Sequence, residues 1–149
     1  MRSKREKGVE IKLGTKYKDY LISDDKSKLQ IEKIIQMLNN SYWAENRTKD
    51  VIEKSIKNSI CIGVYDNEKQ IGFARCVTDY ATFYWLADVI IDPDYRKQGI
   101  GKILVDAAIN HDDLIGCFGV LATRDAHGLY EKYGFKLVTD KYMRRDYEI

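Results

Sequence analysis

The chain predicts a single α+β domain, a mixed sheet with helices packed on both faces. Three observations carry this expectation. Apolar, strand-like runs at 60–65, 71–77 and 82–91 follow one another through short polar connections, the order of an antiparallel meander. From residue 82 onward the pattern becomes strand, helix, strand, helix, strand, which brings parallel neighbours into the same sheet. A length of 149 residues is one domain's worth, so a single unit over 1–149 accounts for all of it. About seven strands and four helices are expected.

Composition excludes several classes of function. Hydrophobic residues make up 44% and charged residues 32%, ordinary for a soluble globular chain. No apolar run approaches the roughly 20 residues that cross a bilayer, so no membrane association is expected. The basic start, Met1 to Lys7, has no apolar run behind it and reads as a flexible tail over 1–8, not a secretory signal. A net charge of +2, with lysines spread along the chain, gives no nucleic-acid footprint. Cys61, Cys76 and Cys117 lie far apart in apolar segments without a Cys-x-x-Cys pair, and His111 and His127 form no ligand set with them. Reduced, buried thiols in a cytoplasmic protein without a metal are therefore expected.

In chain order, 9–13 and 17–22 read as short extended pieces. Ser27-Lys28-Leu29-Gln30 has the spacing of a capping box ahead of Ile31, Ile34, Ile35 and Leu38, one face of a first helix ending near Asn40. A second helix begins near Thr48, with Val51, Ile52 and Ile56 apolar. Between them stand Tyr42 and Trp43, which either cap the core between the two helices or line a substrate cleft. Asp66-Asn67-Glu68-Lys69 turns the first hairpin, and Asp79-Tyr80-Ala81 leads into the long strand 82–91. After a third helix, 117–122 is a buried strand. Thr123 can cap a fourth helix with Ala126, Leu129, Tyr130 and Tyr133 on one face, and Gly134 can stop it. Residues 135–138 and 142–147 are the closing strands.

The chemistry gathers where the long strand meets the third helix. Asp92 and Pro93 turn the chain into Arg96-Lys97-Gln98-Gly99-Ile100-Gly101-Lys102, and the stripe Ile100, Ile103, Leu104, Ala107, Ala108 starts the helix inside this loop. Unpaired backbone N–H groups at the positive end of a helix suit phosphate oxygens. Gly99 and Gly101 let an anion approach the backbone, and Arg96, Lys97 and Lys102 add positive charge. The loop looks built for a diphosphate. It is neither a Walker A loop, since Ile103 follows Gly101-Lys102, nor the dinucleotide fingerprint, since Leu104 stands at its third glycine.

Arg96-x-x-Gly99-x-Gly101 after a strand resembles the acetyl-CoA pyrophosphate loop of the GCN5-related N-acetyltransferases, the GNAT superfamily. A second signature, Ala126-x-x-Leu129-Tyr130-Glu131-Lys132-x-Gly134-Phe135, is similar to that family's C-terminal motif at the expected distance. The resemblance implies the GNAT fold, with the sheet splayed between its fourth and fifth strands, here 82–91 and 117–122. It implies acetyl-CoA as cosubstrate, gripped by the loop 96–102 with Gln98 and Ile100 included. Backbone groups of Val89, Ile90 and Ile91 would bind the pantetheine arm, and the N–H of Ile90 or Ile91 would polarise the thioester carbonyl. Thr123 stands where many members carry an asparagine that helps hold the cofactor.

Tyr130 matches the superfamily's usual general acid, and a phenol is suitably matched to a departing thiol. Read only as a residue, it is equally a core aromatic on the inner helix face. Asp88, an acid within an apolar strand, and Asp79 in the preceding loop are the candidate bases for the amine, and Asp88 is the first choice; it is alternatively a structural partner of Arg75, and water relays serve as base in many members. Tyr42, Trp43, Tyr80, Phe83 and Tyr84 could line the acceptor cleft. The expectation is an N-acetyltransferase that transfers acetyl to a primary amine of a small molecule by direct attack in a ternary complex. Its alternatives are a protein or peptide N-acetyltransferase and a non-catalytic acyl-CoA sensor on the same fold. A homodimer is left open.

Overall fold

The structure is a computed structural model that describes residues 13–14, 16–17 and 19–147. The expected tail over 1–8, and the extended piece 9–13 apart from Leu13, lie outside the described residues. Among the described residues six strands form one sheet in sequential order: β1 (Lys16–Tyr17), β2 (Tyr20–Ser23), β3 (Ile60–Asp66), β4 (Lys69–Thr78), β5 (Phe83–Ile91) and β6 (Phe118–Val120). The first five are antiparallel neighbours, and β6 joins β5 in parallel. The helices are α1 (Ile31–Asn39), α2 (Lys49–Lys57), α3 (Ile100–Ile109) and α4 (His127–Glu131).

Period-2 alternation divides the core into two layers. On one face Ile62 and Val64 of β3, Ala74 and Cys76 of β4 and Leu86 of β5 pack under Ile100, Ile103, Leu104 and Ala108 of α3. On the other, Cys61, Phe73 and Ile90 meet Ile34, Met37 and Leu38 of α1 and Ile52 and Ile56 of α2. Each buried aliphatic side chain contributes about 1.5–3 kcal/mol, so the α3 stripe alone fixes that helix to the sheet. Gly72 sets the spacing there: a Cβ on it would stand 3.2 Å from Leu104 Cδ1 and 3.4 Å from Ile100 Cγ2.

Several local expectations change. Among the described residues six strands form where about seven were expected, and Lys16–Tyr17 pairs with Tyr20–Ser23 as an antiparallel neighbour. The capping box does not assemble: Asp25 caps a separate short turn by accepting from Ser27 N–H at 2.9 Å, while Gln30 accepts from Gln70 N–H through its side chain. Thr48 does cap α2, accepting from Val51 N–H at 3.4 Å. Residues 135–138 and 142–147 are not strands. Gly134 at φ +86 turns the chain away from α4, and residues 136–147 are exposed throughout, so their backbone is left to water. Their density of charge, Lys136, Asp140, Lys141, Arg144, Arg145 and Asp146, suits that exposure.

Candidate active site

Two irregularities of β5 create the site. The first is a short pairing: β5 and β6 are in register only at Phe83↔Phe118, Tyr84↔Gly119 and Trp85↔Val120. Beyond Trp85 the pairing stops, and one edge of β5 from Leu86 to Ile91 is left with no partner strand among the described residues, the wedge that the resemblance implied. The second is a bulge. Arg75 is opposite Ala87 and Phe73 opposite Ile90, so Ala74 alone faces both Asp88 and Val89, with Asp88 at φ +55. The bulge changes which face each side chain meets: Leu86 joins the α3 layer, whereas Ile90 joins the α1 and α2 layer.

The direction of the backbone follows. Asp92 donates its N–H to Ile71 C=O at 2.8 Å, toward β4. Successive residues of a strand aim their N–H groups at opposite edges, so Val89 and Ile91 present theirs to the wedge while Ile90 turns toward β4. Of the two donors the sequence left open, the geometry turns only Ile91 toward the gap.

The glycine loop sits at the end of this edge. Gly99 is the N-cap of α3 at φ +82, and Lys97 is left-handed at φ +64. No side chain caps the helix, and its first backbone bond runs from Ile103 N–H to Gly99 C=O at 3.3 Å. The N–H groups of Ile100, Gly101 and Lys102 thus have no acceptor among the described residues. Nothing lies within 4 Å of a Cβ built on Gly99, and Arg96, Lys97, Gln98 and Lys102 are exposed around it. This open cradle of donors with surrounding cations fits a diphosphate. Gln98 accepts from the Tyr20 hydroxyl at 2.7 Å, which ties the loop to β2.

The chain from β6 to α4 forms the far wall. Thr123 caps the turn before α4, its Oγ1 accepting from Ala126 N–H at 3.0 Å, so the helix begins at His127 and is shorter than expected. Gly134 ends it in a Schellman turn: Gly134 N–H donates to Glu131 C=O at 3.1 Å and Phe135 N–H to Tyr130 C=O at 3.3 Å. Tyr130 packs partly against the α3 layer and edge-on to Phe135, at 6.0 Å between centroids. Its hydroxyl has no hydrogen bond among the described residues. Burial pushes the phenol pKa up, with Tyr42 and Asp125 adding to the effect, so the group stays protonated at neutral pH.

The two acidic candidates are both occupied. Asp88, its side chain 2% exposed, accepts from Arg47 Nη1 at 2.7 Å, Arg75 Nε at 3.0 Å and Trp43 Nε1 at 3.1 Å. Asp79 accepts from the Thr82 hydroxyl at 2.6 Å and from the N–H groups of Thr82 and Ala81, which holds its carboxyl far below the carboxylate range. The aromatics split into two groups. Tyr42 and Trp43 lie at the bulge through Trp43's bond to Asp88, and the Arg124 guanidinium sits 3.8 Å over the Tyr42 ring. Tyr80 and Phe83 are exposed at the opposite end of β5, Phe83 stacked on Phe118 at 5.9 Å. Tyr84 is buried under Gly119 and lines no cleft.

Sequence reasoning passed over Arg47 and Arg124. Each is a single cation in a connecting segment, where charge is the norm, and only the aromatic partners Trp43 and Tyr42 four or more residues away hinted at a site.

The comparisons bear on the family and the fold. A family model described as acetyltransferase (GNAT) domain matches residues 57–137. A GNAT-family protein of Xanthomonas campestris pv. campestris, known from its crystal structure, is 38% identical, with 86% of this chain and 93% of that one covered at a TM-score of 0.82. A GCN5-related N-acetyltransferase of Arabidopsis thaliana is 34% identical over 70% of this chain, and a peptidyl-lysine N-acetyltransferase of Salmonella typhimurium is 29% identical over 67%. The chain spans 42% and 65% of the lengths of those two relatives. No helix among the described residues is long and apolar enough to cross a membrane.

Proposed function

Because this chain belongs to the GNAT acetyltransferase family, we propose that it transfers the acetyl group of acetyl-CoA to a primary amine of a small molecule, by direct attack in a ternary complex. The observation that carries the reading is the wedge between β5 and β6 opening beside the uncapped N-terminus of α3. A diphosphate on the α3 amides would lay an acyl-pantetheine arm along the free edge of β5.

In this reading the Ile91 N–H meets the thioester oxygen as charge develops there, an oxyanion donor needing no reorganisation. The amine nitrogen forms its bond to the acyl carbon, the carbon–sulfur bond breaks, and the leaving sulfur takes a proton from the Tyr130 hydroxyl. The arriving ammonium gives one proton to water before it attacks, and the second proton, shed by the new amide nitrogen, returns through water to the Tyr130 oxygen. Asp88 was the sequence's first choice for that base, but two guanidiniums and an indole occupy its oxygens, so it serves as a positioning residue that holds the bulge. Cys61 and Cys76 are buried and their thiols raised by that burial to about 11 and about 12, which supports direct attack over a thiolate intermediate. Free, buried thiols also support a cytoplasmic location. The homodimer is kept within the reading because β6 ends the sheet with one edge unpaired.

The test is release of free thiol from acetyl-CoA across a panel of polyamines, amino acids, aminoglycosides and a lysine peptide. Tyr130→Phe should lower kcat by about 10²–10⁴, the size of a lost general acid, with little change in thermal midpoint. CoA that raises the midpoint without any thiol release would leave a sensor. A peptide used above all small amines would favour the activity named for the Salmonella relative.

A further inference from the structure

The acceptor side of the bulge carries more positive than negative charge. Arg47 and Arg75 share one carboxylate, both reaching Asp88 Oδ2. Arg75 is otherwise occupied: its side chain is 11% exposed and Nη1 donates to Ser59 Oγ at 3.0 Å. Arg47 is not. Its side chain is 29% exposed, its ion pair uses Nη1 alone, and no other carboxylate pairs with either arginine among the described residues. Two mostly buried guanidiniums against one carboxylate leave about one positive charge uncompensated, in a setting where Arg selects planar oxyanions. Trp43 donates to the same carboxylate, and a further cation, Arg124, lies over Tyr42, the ring edge-on to Trp43.

We propose that Arg47, beside Trp43 at the bulge of β5, anchors the carboxylate of the acceptor, so that the substrate is an anionic amine of the amino-acid class and not a polyamine or an uncharged amine. The inference rests on the acetyl-transfer reading above. Asp88 remains paired with Arg75 and Trp43 when Arg47 is changed, so the anchor can be removed without orphaning the buried acid.

Thiol release is measured with the twenty amino acids, their carboxamides and their decarboxylated amines. The expected result is kcat/KM at least tenfold higher for the free acid than for its amide in the preferred series. Arg47→Gln should then raise KM for the acid about tenfold, leave kcat and the amide unchanged, and be partly rescued in Arg47→Lys. Equal use of acid and amide, preference for a polyamine, or an Arg47→Gln that slows all three forms alike would each overturn the anchor while leaving acetyl transfer intact. CoA binding with no thiol release from any amine would instead overturn acetyl transfer, and the anchor with it.

Discussion

The Tyr133 hydroxyl donates to the backbone carbonyl of Lys102 at 2.9 Å, joining the turn after α4 to the first turn of α3 beside the glycine loop. This bond sets the distance between the wall that carries Tyr130 and the cradle at Gly99. Tyr133→Phe should cost about 1 kcal/mol in urea unfolding and weaken CoA binding several-fold, read by calorimetry. Unchanged CoA affinity would mean that the two walls keep their separation without it.

Gly99→Ala tests the cradle by conformation alone. The site has room for a Cβ, so the cost comes from φ +82, about 1 kcal/mol of stability. CoA affinity should fall further than stability does, because the strained cap re-aims the α3 amides. A variant that binds CoA normally would remove this loop from the binding site.

Asp88→Asn leaves two guanidiniums facing a neutral amide. Loss of a buried charge partner costs about 3 kcal/mol or more, so the thermal midpoint should drop by many degrees. A base that was lost from an otherwise intact enzyme would give the reverse pattern, low kcat with normal stability.

Alkaline pH should destabilise the protein. Burial raises the thiols of Cys61 and Cys76 from 9.0 to about 11 and about 12, and the phenol of Tyr84 from 10.0 to about 12. The unfolded chain releases these protons first, so it binds fewer than the native one and stability falls as pH rises. The contribution is complete below roughly pH 9 and is lost toward pH 12, at about 1.4 kcal/mol per pH unit for each group in its window. Urea midpoints that stay flat from pH 8.5 to 10.5 would contradict the buried, protonated state.

The helix and hairpin elements were legible because their signals are local. The stripe from Ile100 to Ala108 marks α3 as it stands, and Asn67, at φ +52, turns the β3–β4 hairpin where its type suggested. The bulge was not legible. Asp88 looks like any acid in an apolar strand, and only its non-local partners Arg47, Arg75 and Trp43 explain its left-handed backbone. The closing strands failed for the same reason in reverse. Leu137, Val138, Tyr142 and Tyr147 have strand-forming side chains, but strands need a neighbouring edge, which propensity does not report. Tyr130 was singled out through a motif, and that its hydroxyl has no hydrogen bond among the described residues is a matter of tertiary structure that no motif reports.

The early end of the β5–β6 pairing at Trp85 and Val120 leaves a periodic trace in amide deuterium uptake. Asp92, bonded to Ile71, and Ile90, in register with Phe73 of β4, should exchange slowly, whereas Val89 and Ile91, two residues apart, should exchange quickly. A molecule threaded along that seam would slow every second amide and leave its neighbours unaltered, so the free protein already carries the ruler by which occupancy can be read.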